Sequence, residues 1–144
     1  SRRQRALSFG ATHVFTPEEA LHAIRELTDR REVDHPIEAA GVRNTQQAAW
    51  DAVLTGWFWV VLGKMPFDGH VSLRWGAMMG DKRFIRSSDG GARPHRDFPE
   101  LVELYRSGNC PLGELIEQRI SLTQMNEGFA IMRRGENIRT VIEF

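Results

Sequence analysis

A single cysteine, Cys110, is all the thiol this chain has. No internal disulfide and no cysteine-rich zinc site can form from it, and the usage suits a reducing cytosol. Net charge is lacking as well. Nineteen Lys+Arg balance nineteen Asp+Glu, which removes the basic field that nucleic acid would require and the acidic tail of a solvating arm. Long apolar runs are missing: the longest, 53–63, is broken by Thr55 and Gly56 and falls short of the roughly 20 residues that cross a bilayer. Ser1-Arg2-Arg3-Gln4-Arg5 is basic, but no long apolar segment follows it, so no signal peptide is read there. The chain starts without Met, from which a preceding segment is expected. Neither an internal repeat nor a low-complexity stretch is visible.

What is present has the balance of a globular protein, with 144 residues, 41% hydrophobic and 26% charged. Residues 2–9 suit a helix that stops at Gly10, a residue at home in the left-handed conformation past a helix end. His13-Val14-Phe15 reads as a short strand. Thr16-Pro17-Glu18-Glu19 closes it, with Thr as N-cap, Pro at the first helical position and acids in the first turn. The following helix carries Ala20, Leu21, Ile24 and Leu27 at three- and four-residue spacing, an apolar stripe to lie on a sheet. Residues 33–41 read as a weak strand with Pro36 inside it, and Asn44-Thr45 as the cap of a helix over 46–53. Residues 57–62, rich in aromatic and β-branched side chains, read as a buried strand closed by Gly63-Lys64-Met65-Pro66. Strands and helices in alternation predict an α/β fold around a parallel sheet.

After Pro66 the rhythm changes. Short strands are expected at 70–75 and 83–88, followed by the turn Asp89-Gly90-Gly91 and a boundary that separates 1–90 from 91–144. Beyond it, 99–106 reads as a helix with Leu101, Val102 and Tyr105 inward, and 112–116 as a second apolar turn. Residues 121–134 read as a helix opened by the capping-box pattern Ser121-Leu122-Thr123-Gln124 and stopped at Gly135. The last strand is expected over 138–144, giving a helix-helix-strand segment.

Four stretches resemble the zinc-containing alcohol dehydrogenases of the medium-chain dehydrogenase/reductase superfamily, in order and in spacing. They are Leu7-Ser8-Phe9-Gly10-Ala11-Thr12-His13-Val14, Ile37-Glu38-Ala39-Ala40-Gly41, Val60-Val61-Leu62-Gly63, and the end, Met125-Asn126-Glu127-Gly128-Phe129 with Asn137 through Phe144. The resemblance runs the length of the chain but covers only the later part of a family subunit. It implies a three-layer α-β-α arrangement, a partial Rossmann-type sheet with its first strands missing. Residues 1–90 would be the later part of an NAD-binding domain, and 91–144 would pack on an absent zinc-binding catalytic domain. The family's Gly-x-Gly-x-x-Gly turn and ribose-binding acid are not found here. Nor are the two Cys and the His or acid that hold its catalytic zinc. NAD and zinc are therefore the implied cofactors, the zinc ligands lying outside this chain, and no residue here is expected to be catalytic.

The resemblance also nominates cofactor-binding residues. Arg139 matches the family arginine whose guanidinium reaches the cofactor pyrophosphate, a task suited to a planar, always-charged fork. The plainer alternative is a solvent-facing strand residue. Arg2 falls near a family cation beside the adenosine ribose, against the alternative of a solvated helix face. Ala39, Ala40 and Gly41 end a strand where open α/β sheets bind ligands, and small residues there would let the adenosine approach; packing and a turn would use the same residues. Leu62 and Gly63 correspond to the strand end beside the nicotinamide ribose, with Lys64 the alternative one residue on. Ser87 and Asp89 map to the stretch whose backbone holds the nicotinamide carboxamide. The scattered histidines His13, His22, His35, His70 and His95 do not have zinc-ligand spacing, and Cys110 has no activating neighbour in sequence. Trp57, Trp59 and Trp75 read as core and interface packing rather than a stacking platform.

The implied function is part of an enzyme that moves a hydride between an alcohol or aldehyde and NAD with zinc assistance. The implied partners are that substrate and a second copy, forming a homodimer by edge-strand pairing around 70–75, with no nucleic acid and no membrane; the implied location is cytoplasmic. A non-catalytic remnant acting by dimerisation or partner binding is the alternative from another class. A zinc-free quinone or enoyl reductase of the same superfamily is the third.

Overall fold

The computed structural model describes residues 2–144. They form two compact units, one over 3–91 and one over 92–144. No helix among the described residues is long and apolar enough to cross a membrane.

In the first unit the chain runs α1 (Arg2–Ser8), α2 (Pro17–Leu27), β1 (Ile37–Glu38), α3 (Arg43–Ala52), β2 (Phe58–Val61), α4 (Trp75–Met78) and β3 (Arg83–Arg86). The three strands make one parallel sheet in the order β1-β2-β3, with Ile37 opposite Val60 and Trp59 opposite Phe84. Parallel neighbours need crossover connections, and α3 supplies the one between β1 and β2. Its Trp50 meets Trp59 of β2 edge to face at 6.0 Å. Around this pair lie Val53 and Ala77, with Ala49, Val61 and Leu73 packed against them. Pro36 is compatible with the sheet because it stands just before β1, where its carbonyl accepts from Val60 N at 2.9 Å and no donor is asked of it.

Helix α2 begins as its sequence implies. The Thr16 hydroxyl accepts from Glu19 N, and the Glu19 carboxylate accepts in return from Thr16 N at 3.1 Å, a reciprocal capping box with Pro17 at the first helical position. The Thr16 backbone bond, and then its side-chain bond, hold the Glu19 carboxyl below the usual carboxylate range. A folded-state pKa lowered in this way stabilises above the unfolded value and loses that contribution as pH falls through the lowered one. Loss of the N-cap hydroxyl in Thr16→Ala will cost about 1 kcal/mol at pH 7. The cost will be smaller once the pH has fallen through the lowered Glu19 value; urea denaturation of both proteins at neutral pH and along an acid series checks this.

Three expectations are corrected in this unit. Residues 13–15 have no ladder partner among the described residues. Residues 70–74 are not a strand, because side chains of α3 take their carbonyls: Arg43 Nε donates to His70 O and Gln47 Nε2 to Ser72 O, each at 2.9 Å. The N-cap of α3 is Val42, two residues before the expected Asn44-Thr45, and the Thr45 hydroxyl is engaged elsewhere.

In the second unit α5 (Pro94–Arg106) starts five residues before the expected Pro99, on another proline suited to a first helical turn. Leu101, Val102 and Tyr105 are about half exposed rather than inward. The segment beyond contains an additional strand, β4 (Ile116–Ser121), which pairs in parallel with β5 (Arg139–Glu143). Between them a single 3-10 turn, Leu122–Gln124, carries the Ser121/Gln124 capping box and leads into α6 (Met125–Arg134). Gly135 ends that helix in the left-handed conformation at φ 69°.

Candidate functional site

All three strands of the first unit finish on the same edge of the sheet. Open parallel sheets bind ligands at that carboxyl edge, because the loops diverge there and leave a crevice. β1 runs into Ala39-Ala40-Gly41, β2 into Leu62-Gly63-Lys64 and β3 into Ser87-Ser88-Asp89.

The first two loops approach through glycines. Gly41 sits at φ +71°, and a Cβ on it would stand 2.5 Å from the Lys64 carbonyl oxygen. A Cβ on Gly63 would stand 2.3 Å from Gly41 N. Neither contact is open to any other residue without movement of the backbone. Ala39 and Ala40 are exposed beside this contact, as are Leu62 and Lys64. On β3 the Ser87 N–H donates to Val61 O at 3.0 Å and its carbonyl accepts from the Arg86 guanidinium, so both Ser87 backbone groups already have partners. Asp89 is exposed and opens the turn Asp89–Gly91 at φ +50°.

The residue that sequence reasoning missed is Glu38, the last of β1. It is 4% exposed, and its Oε1 accepts from Ala40 N and Gly41 N, each at 2.8 Å, and from the Thr45 hydroxyl at 2.6 Å. The Gln46 side-chain amide donates to Oε2. A sequence signal existed in retrospect: an acid at the end of an apolar strand, then two alanines and a glycine, with Thr and Gln seven and eight residues on.

The remaining candidates lie elsewhere. Arg2 opens α1 and is exposed. Arg139 belongs to the second unit, where it starts β5 exposed and lines a hollow of about 240 Å³ with Met125, Phe129 and Met132 of α6. Of the proposed packing tryptophans, Trp59 is buried while Trp57 and Trp75 are exposed, and the buried partner of Trp59 is Trp50.

Among the described residues no three of His, Cys, Asp and Glu converge as a metal site. Two acids of the second unit have structural tasks: Asp97 accepts from Arg93 N at 2.7 Å, and Glu117 from Ile138 N at 2.8 Å. At the surface of the second unit, Arg134 and Glu136 form a 2.6 Å ion pair in which the Glu136 side-chain bond raises the arginine and the Arg134 side-chain bond lowers the carboxyl.

Residues 1–107 match the family model described as zinc-binding dehydrogenase, and the chain belongs to that family. It is 34% identical over 146 residues to the NDMA-dependent alcohol dehydrogenase of Amycolatopsis methanolica, covering 98% of this chain and 39% of that protein. With the alcohol dehydrogenase class-3 of Drosophila melanogaster it shares 31% identity over 146 residues, 96% of this chain and 38% of the relative. The benzyl alcohol dehydrogenase structure from Acinetobacter calcoaceticus superposes with a TM-score of 0.90 at 25% identity, over 99% of this chain and 40% of that one. The chain thus spans about two-fifths of the length of these relatives.

Proposed function

We propose that this chain supplies part of the cofactor site of a zinc- and NAD-dependent alcohol dehydrogenase. The observation that carries the reading is the parallel-sheet edge built of small residues at Ala39, Ala40, Gly41 and Gly63, in a chain of this family. A flat purine and its ribose need backbone that approaches closely, and side chains larger than methyl would stand in the way.

The nicotinamide dinucleotide, when bound, takes up the hydride that an alcohol carbon gives. Ala39, Ala40 and Gly41 would receive the adenosine half, while Leu62 and Gly63 would border the nicotinamide ribose. With both Ser87 backbone groups engaged, its hydroxyl and the Asp89 backbone remain for the carboxamide. Arg139 would neutralise the pyrophosphate, and Arg2 would lie beside the adenosine ribose. The described residues do not fit the zinc of the family's name, whose ligands would lie outside this chain. The substrate of the whole protein would be an alcohol or aldehyde, and its location the cytoplasm. The edge strand expected at 70–75 is not formed among the described residues, so a homodimer would pair instead through the outer strand β3, where Phe84 and Ile85 are exposed.

The test is the intact mass, zinc content and NAD binding of the natural protein purified from its source. We expect a subunit more than twice 16.4 kDa that carries zinc and binds NAD. A zinc-free protein of 16.4 kDa that ignores NAD would sink the enzyme reading and favour association through its exposed apolar residues.

A further inference from the structure

We propose that Glu38 is a positioning residue for the dinucleotide, a role that rests on the cofactor reading above. Burying a carboxylate is unfavourable unless other groups replace its water. Around Glu38 the replacement is complete but contains no cation: two backbone amides, one hydroxyl and one carboxamide converge on it. Sheet formation does not call for this arrangement, because the Glu38 main chain already serves the ladder, its carbonyl accepting from Leu62 N at 2.8 Å.

What the side chain adds is the shape of the edge. With Ala40 N and Gly41 N both tied to Oε1, the turn after β1 is held in one conformation, and the Gly41 amide is drawn toward the sheet. Oε2 also lies 2.5 Å from the place a Cβ on Gly63 would occupy, so the same carboxylate fills the space beside the β2 loop. One buried group therefore sets both loops on which the two riboses are to rest. Thr45 and Gln46, from the first turns of α3, hold that group in turn.

The test is equilibrium binding of ADP-ribose to the whole natural protein, with thermal unfolding followed in parallel. ADP-ribose carries the adenosine and pyrophosphate but undergoes no hydride transfer. Binding is measured well below every Tm for the unaltered protein, E38A, E38Q and T45V. E38A will bind about tenfold more weakly, the equivalent of one lost charge-assisted hydrogen bond. E38Q keeps an acceptor for the two amides and will recover to within about threefold of the unaltered protein. T45V, which frees one side of the carboxylate, will also lose about threefold. If E38A does not fold, E38Q and T45V decide the matter on the same terms. Variants that lower Tm but leave ADP-ribose affinity unchanged would show Glu38 to be structural only and overturn the proposal. Failure of the unaltered protein to bind ADP-ribose is a separate result, which removes the cofactor reading and this proposal with it.

Discussion

Replacing Gly63 by alanine will destabilise the first unit by about 2–3 kcal/mol. The added Cβ would stand 2.3 Å from Gly41 N, 2.5 Å from Glu38 Oε2 and 2.6 Å from Gly41 Cα. Two of these neighbours are backbone atoms and cannot rotate away. The third is a buried carboxylate already bound to four donors. Relief requires β1 and β2 to part at their carboxyl ends, so dinucleotide binding should fall along with stability. Gly76→Ala is the matched control. No atom lies within 4 Å of its added Cβ and it sits inside α4, so it should leave stability unchanged or raise it by up to about 1 kcal/mol. Urea denaturation of the two variants makes the comparison. Equal midpoints would mean that the close approach at Gly63 is not a feature of the folded protein.

The second large effect is expected at Arg139. Its side chain is exposed at the start of β5, and among the described residues its guanidinium has no hydrogen-bond or ion-pair partner. Removing it should leave the fold intact. If it meets the cofactor pyrophosphate, Arg139→Ala will weaken NAD binding by roughly 10- to 100-fold, since hydrogen bonds to a charged group contribute about 1.5–3 kcal/mol. Arg139→Lys will recover only part of the loss, because an ammonium cannot make the paired contacts of a guanidinium fork. Adenosine, which has no phosphate, should bind all three proteins alike. Calorimetric titration of NAD and adenosine gives both numbers, and NAD affinity unaffected by Arg139→Ala would return this residue to an ordinary strand surface.

Legibility in the sequence followed how local the determining physics was. Thr16-Pro17 with its acids announced α2, because a cap acts within one turn. The aromatic and β-branched run announced β2, and Gly135 the end of α6. β4 stayed hidden because its inward-facing residues are Ile116, Gln118 and Ile120. A glutamine in the middle breaks the apolar alternation, and only pairing with β5, where the Thr140 hydroxyl donates to Gln118 at 3.4 Å, explains it. Residues 70–74 have the composition of a strand, yet two long side chains from α3, more than 20 residues earlier, claim their carbonyls.

The candidate site divides along the same line. Ala39, Ala40, Gly41, Leu62, Gly63, Ser87 and Asp89 could be nominated from sequence, since small residues after apolar strands and the order of short motifs are properties of the chain read in one dimension. The same reading established the α/β alternation and the resemblance to zinc-binding dehydrogenases. Tertiary structure alone decided that Gly41 and Gly63 stand back to back, that Ser87 spends its backbone N–H on Val61, and that Glu38 lies buried beneath two loops. Each of these depends on bringing together strands separated by a crossover, and a pattern of residue types carries no record of which backbone atoms will meet once the sheet has formed.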